Sequence, residues 1–427
     1  MAQSRCAFSI DDELGESNQP VTRIDKFVSN HSHELVSRRR WFHQHPEIAY
    51  YEEETANYIL DQLRQLGVQA ITRAAKTGVI CDIGVGSPTV LCRFNMDALP
   101  IPEKTSLTYS SLNDGYSHAC GHDFELAWGL MLAKYYQAYP PNGTVRLVFQ
   151  PAEEDPGDDV ESRTGGQWLA QLGIFDGVDG AFSLHVDPEL PVGTLSIVEG
   201  PVTASAFDFD IAIRGKACHA AKPHQGLNPI PYAGRVIDDL AALETGLRAR
   251  IGEDGFVLIT PSQVASRVDL DSPEAGSRNT IPEHVFISGI TRVRPPQMQT
   301  ELLVGLERIC EKYRDLIDCS IKVVKRAPAT VNDSRLVPFV REVGSRLGLT
   351  PVEKVTSWRD DAGWCSEKAP TAHGFVGVET DNQSVLHSPY FNPDERGLQI
   401  GLKVLIGATE LFLASPSSGR LSAALDN

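Results

Sequence analysis

Residues 144–154 read "TVRLVFQPAEE". A short apolar run ends in a proline and two adjacent carboxylates, Glu153 and Glu154. Such a run, bounded by turn residues, suits a strand buried on both faces. The arrangement recurs along the chain. "TVLCRF" (89–94) is followed by Asp97, and "GAFSLH" (180–185) closes on His185. Helical patterns separate these runs, at "FELAWGLMLAKYYQAY" (124–139) and near "GGQWLAQLG" (165–173). Strand alternating with helix predicts right-handed crossovers and a mainly parallel sheet flanked by helices, the α/β class. Ligands of such sheets gather beyond the carboxyl ends of the strands. The loop "SHACGHDFE" (117–125) opens a helix on that same rim, so four segments bring donors to one edge.

Outward from this core, a helical pattern runs from about residue 22 to Pro46, and a second, "EEETANYILDQLRQLG" (52–67), stops at Gly67. After residue 200 the pattern changes. In "FDFDIAIRG" (207–215) Phe207, Phe209, Ile211 and Ile213 share one face, against Asp208, Asp210 and Arg214 on the other. That is a strand with one wet face, as in antiparallel sheets. A helix over 229–248, strands near 256–260, 263–268 and 285–291, a helix over 297–315 and "SIKVVKR" (320–326) complete a βαββαβ order, which predicts a ferredoxin-like α+β insert. The expected division is a catalytic domain over 20–202 and 323–415, interrupted by a smaller domain at 203–322. Residues 1–19 and 416–427 read as disordered tails.

With 427 residues, 41% of them hydrophobic, the chain is long enough for a substantial core. A net charge of −17 argues against nucleic acid and anionic membranes as partners. No run is long and apolar enough to span a membrane, and no signal peptide is visible, so a cytoplasmic location is expected. Eight scattered cysteines without a C-x-x-C pair suit reduced thiols. The G-x-S-x-G elbow, H-E-x-x-H, P-loop and G-x-G-x-x-G signatures are missing, which disfavours serine hydrolases and nucleotide or dinucleotide enzymes.

The donor types narrow the chemistry. Thiolate, imidazole and carboxylate together suit zinc, manganese or cobalt rather than calcium or magnesium. In an extended loop Cys120 and His122 can both turn inward, while Asp123 can cap the helix or orient a histidine. Adjacent Glu153 and Glu154 cannot easily point the same way, so one suits metal and the other a water as general base. His387, in "SVLHSPYFNPDE" (384–395), is a candidate fifth ligand.

The ordered motifs "WFHQHPE", "MDALPIPE", "HACGHD", "FQPAEE", "SLHV", "RGKACHAAKPHQGLNPI", "NTIP" and "LHSPYF", spread over residues 41–395, resemble the metal-dependent aminoacylase and carboxypeptidase family. The branch of hippurate hydrolases and indole-acetyl-amino-acid hydrolases looks most similar. The resemblance implies two divalent metal ions held by Cys120, His122, Glu154, His185 and His387, with Glu153 as general base. It also implies a lid and dimer surface in the smaller domain, where His219 and Asn279 would meet the substrate's carboxylate or the developing oxyanion. Asp97 and Asp123 would support the ligands from behind. The expected reaction is cleavage of an N-acyl amino acid or related conjugate to a carboxylic acid and an amino acid. A dipeptidase or carboxypeptidase is the alternative among enzymes, and a non-catalytic or amide-forming relative the alternative beyond hydrolysis. Three features depart from the family pattern: Asn95 stands for an aspartate, Glu125 for a histidine, and "SWRDDAGW" (357–364) for a Gly-Ser-Glu-Asp-Phe-like stretch.

Overall fold

The computed structural model describes residues 20–252, 255–267, 278–380 and 384–415. The two expected tails lie outside the described residues. The chain divides into two units, the first falling within Met1–Ile197, Asp333–Glu353 and Ala369–Asn427, the second within Val198–Asn332 and Lys354–Lys368.

The first unit is built on eight strands: β1 (Ala70–Ala74), β2 (Gly78–Gly84), β3 (Thr89–Asn95), β4 (Thr144–Gln150), β5 (Gly180–Asp187), β6 (Thr194–Ser196), β7 (Thr350–Val352) and β8 (Thr371–Gly377). They lie in the order β1-β2-β4-β3-β5-β8-β6-β7. The centre, β4-β3-β5-β8, is parallel throughout. Every residue of β5 and β8 is buried, as strands covered on both faces require. The edges depart from the alternating strand-helix pattern. β1 and β2 form an antiparallel hairpin, β2 runs antiparallel to β4, and β6 antiparallel to β8. The hairpin turns through positive φ at Ala75 (48°) and Lys76 (65°). Neither residue type signals that conformation, so the sequence gives no warning of it.

Helices α1 (Pro20–Asn30), α2 (Ser32–Gln44), α3 (Glu53–Gln65), α4 (His122–Ala138), α5 (Gly165–Gln171), α6 (Val337–Arg346) and α7 (Arg396–Leu413) flank this sheet. The single N-terminal helix expected from periodicity is broken at His31. There His31 Nδ1 donates to the Phe27 carbonyl (2.8 Å) and Ser32 Oγ to the Ser29 carbonyl (3.0 Å). Such bonds back to the preceding turn compete with the helical ladder. α4 is buried almost all round, from His122 to Ala133, and Trp128 Nε1 anchors it to the Leu398 carbonyl at 2.8 Å. Its central position explains why its first turn can carry site residues without fraying.

The second unit contains a four-stranded antiparallel sheet of Ser205–Arg214, Phe256–Arg267, His284–Arg294 and Asp318–Ala327. Numbered along the chain, their spatial order is 2-3-1-4, with helices Ile230–Arg248 and Gln299–Glu311 at the two crossovers: the ferredoxin-like arrangement. Phe207, Phe209, Ile211 and Ile213 are all buried. The two strands expected near 256–260 and 263–268 are one, bulged between Pro261 and Gln263, where proline has no N–H for the ladder. Among the described residues no helix is long and apolar enough to cross a membrane.

Candidate metal centre

The centre lies in the first unit, at the carboxyl ends of β3, β4 and β5. His185 sits near the end of β5, and Glu153 and Glu154 lie in the turn after β4. His122 is the first residue of α4, and Cys120 precedes it by two. Gly121, at the helix N-cap, adopts φ 86°, and an added Cβ would lie 2.3 Å from Val186 Cγ2. Only glycine lets the Cys120 loop press against β5 beside His185. Gly121→Ala should therefore lower unfolding free energy by roughly 2–4 kcal/mol, from left-handed strain plus overpacking, as read in urea titration. His387, itself at φ 61°, is tied to the same loop by its N–H, which donates to the Ala119 carbonyl at 2.8 Å.

The side chains interlock as three overlapping donor groups: Cys120, His122 and His185; Cys120, Glu154 and His387; and His122, Glu153 and Glu154. Within each group one donor atom per residue lies within 4.8 Å of the others. Cys120 Sγ is 3.4 Å from His185 Nε2, and His387 Nε2 is 3.2 Å from Glu154 Oε1. Backbone carbonyls orient both inner imidazoles. His122 Nδ1 donates to the Asp97 carbonyl and His185 Nδ1 to the Val186 carbonyl, each at 2.7 Å. Each Nε2 is then the free-electron-pair nitrogen, as a metal ligand requires. His122 Nε2 is buried and has no hydrogen-bond partner.

Electrostatics point the same way. Burial, with the charges of Glu154 and Glu153, pushes the Cys120 thiol well above its usual range. Burial by itself would lower His122, but its interactions with Cys120 and Asp97 outweigh it and hold its pKa well up. Negative groups crowded in a buried cluster hold protons that a divalent cation displaces. The donor set therefore fits such ions.

Asp97 stands directly behind these donors, with Oδ1 3.5 Å from His122 Nδ1 and Oδ2 accepting the Glu154 N–H at 2.9 Å. Asp123 is differently engaged. It forms a fully buried ion pair with Arg39 Nε (2.8 Å) and accepts from His43 Nδ1 (2.8 Å), and His43 Nε2 lies 3.3 Å from Glu103. His43 and Glu103 lie in the motifs "WFHQHPE" and "MDALPIPE" and Arg39 in neither, and nothing local in the sequence joins the three to Asp123. His118 is also buried, and burial lowers its pKa to about 3, so it is neutral. Glu52, in an acidic run that reads as a helix start, is buried as well. Burial first, then the Asp97 charge, raise its carboxyl to about 8.

Two of the departures meet. The Asn95 N–H donates to Glu125 Oε2 at 2.9 Å, and Glu125 Oε1 lies 4.0 Å from His185 Nε2. The third, residues 357–364, belongs to the second unit, where Asp360 and Asp361 are buried. His219 and Asn279 also belong to that unit. They share one small ribbon, in which His219 pairs with Thr280 and the Ala220 N–H donates to the Asn279 carbonyl.

The chain is similar to known proteins. The sequence profile of peptidase family M20/M25/M40 matches residues 91–410. An N-acetyl-L-cysteine deacetylase of Bacillus subtilis is 30% identical over 96% of this chain and 94% of its own length. An IAA-amino acid hydrolase of Arabidopsis thaliana is 31% identical over 91% of this chain and 88% of its own. Among solved structures, a dinuclear metal-binding M20 peptidase of Bacillus subtilis superposes with a TM-score of 0.72 at 29% identity, covering 90% of this chain and 99% of that one. With a profile match over most of the chain and donors clustered at the strand ends, the chain belongs to peptidase family M20/M25/M40, as a hydrolase of amide bonds that works with two divalent metal ions.

Proposed function

We propose that the chain cleaves the amide bond of N-acyl amino acids or related amino-acid conjugates, with Glu153 as general base and zinc or manganese as the ions. Cys120, His122, Glu154, His185 and His387 would hold the metals. When bound, the two cations supply Lewis acidity, polarising the amide carbonyl and making water nucleophilic at neutral pH. Glu153 takes a proton from the attacking water and returns it to the leaving amine. Asp97 holds Glu154 by its backbone and steadies His122. On the second unit's ribbon, His219 and Asn279 bind the substrate's carboxylate or the oxyanion. The seven described cysteines are all free thiols, which supports a cytoplasmic setting.

The observation that carries this reading is the neighbourhood of Glu153: it shares a donor group with His122 and Glu154 and is itself buried. The relatives named for N-acetyl-L-cysteine and IAA-amino acids support acyl conjugates as the substrate class. A screen of the metal-loaded protein tests it. N-acetyl-L-cysteine, hippurate and indole-3-acetyl-alanine should release free amino acid at rates at least tenfold above unblocked dipeptides. Faster turnover of dipeptides would make the chain a peptidase instead.

A further inference from the structure

We propose that Glu52 is a positioning residue for hydrolysis: with Asp97, its carboxyl group clamps the backbone of residues 152–154 and so aims Glu153. The inference rests on the reading of Glu153 as the base. Glu52 is fully buried, and its Oε1 accepts the Ala152 N–H at 2.8 Å while its Oε2 accepts the Thr77 hydroxyl at 2.6 Å. On the other side of Glu153, Asp97 Oδ2 accepts the Glu154 N–H at 2.9 Å. Two acidic side chains thus grip the turn one residue before and one residue after the base. The Ala152 carbonyl is held too, by the Gly165 N–H at 2.9 Å.

The turn needs holding. Ala152 adopts φ 47°, in the left-handed region that a side chain disfavours. Released from its partners, this residue has an easy route back to ordinary backbone angles, which would swing the next side chain. A displacement of about 1 Å at a reacting group can cost on the order of 100-fold in rate.

A purely structural reading would make Glu52 a helix cap. It does stand at the N-cap of α3, but its side chain makes no capping bond there. Glu47 does that work, accepting from the Glu54 and Thr55 N–H groups at 3.1 and 2.8 Å. Burying a polar carboxyl group is costly unless it is hydrogen-bonded, and the side-chain bonds of Glu52 go to the turn and to Thr77.

The test compares Glu52→Ala, Glu52→Gln, Thr77→Val and Glu153→Ala in the metal-loaded protein, using the best substrate of the three acyl amino acids. Amide exchange of a 149–155 peptide is the readout independent of activity. Glu52→Ala should lower kcat about 10- to 100-fold, leave KM within threefold, keep both metals and speed exchange in that peptide at least tenfold. Glu52→Gln should recover most of the loss, because its amide oxygen still accepts the Ala152 N–H. Unchanged exchange, a loss confined to KM, or Glu52→Gln as impaired as Glu52→Ala would each overturn the clamp. Should Glu52→Ala not fold, Thr77→Val decides. It should lower kcat three- to tenfold with faster exchange, and wild-type behaviour would overturn the proposal. An active Glu153→Ala beside an exchange-loosened Glu52→Ala would sink the base assignment but not the clamp. An inactive Glu153→Ala beside an unimpaired Glu52→Ala would sink the clamp alone.

Discussion

Replacing Glu153 by alanine is expected to lower kcat by about 1,000-fold while the protein keeps two metal ions per chain. A positioned general acid-base group contributes roughly 10²- to 10⁴-fold, and 1,000-fold corresponds to about 4 kcal/mol of barrier. Glu153 belongs to one donor group, with His122 and Glu154, whereas Cys120, His122 and Glu154 each belong to two. Its removal therefore leaves the Cys120–His122–His185 and Cys120–Glu154–His387 groups whole. Glu153→Gln should behave like the alanine variant, since it keeps the shape and loses the basic oxygen. KM should move little, because a proton acceptor acts in the transition state more than in substrate binding. Steady-state kinetics beside elemental analysis reads both quantities. Full turnover in either variant would remove Glu153 from the chemistry, and loss of one metal with turnover would move it into the ligand set.

What the sequence displayed and what it hid follow one physical division. The parallel centre was legible because a strand covered on both faces must be largely apolar, as "TVRLVF" and "GAFSLH" are. Their ends then marked a rim, and the structure brings Cys120, His122, Glu153, Glu154 and His185 together there. His387 had no such local marker. Its place rests on a loop tied to Ala119 by one backbone bond, a contact across more than 260 residues. The edge hairpin depends on left-handed angles at Ala75 and Lys76, residues that do not advertise them. The Arg39–Asp123–His43–Glu103 chain and the Glu52–Ala152 bond have no local marker either. They pair groups 80 and 100 residues apart, and periodicity reports only on neighbours. Asn95 and Glu125 stand 30 residues apart in the sequence, but the backbone N–H of the first donates to the carboxyl group of the second.

Stripping the metals is expected to abolish turnover, and Cys120→Ser to come close to the same result. The argument is one of shared donors. Cys120 belongs to the group with His122 and His185 and also to the group with Glu154 and His387, so its loss removes a ligand from both. Serine supplies a hydroxyl that does not ionise readily in place of a soft thiolate, and zinc-type sites discriminate strongly between them. Metal content should fall from two per chain to one or fewer, and kcat at least 100-fold. His387→Ala should cost less metal, because that side chain is half exposed and serves one group instead of two. The bound ions should also support the fold. A ligand present at 1,000 times its Kd stabilises by about 4.1 kcal/mol, which in a unit of this size raises Tm by roughly 10 °C. Differential scanning calorimetry with and without a chelator reads that shift, and re-addition of zinc or manganese should restore both Tm and turnover. A chelated protein that melts and turns over like the untreated one would show that the donors clustered around Cys120 hold no catalytic metal.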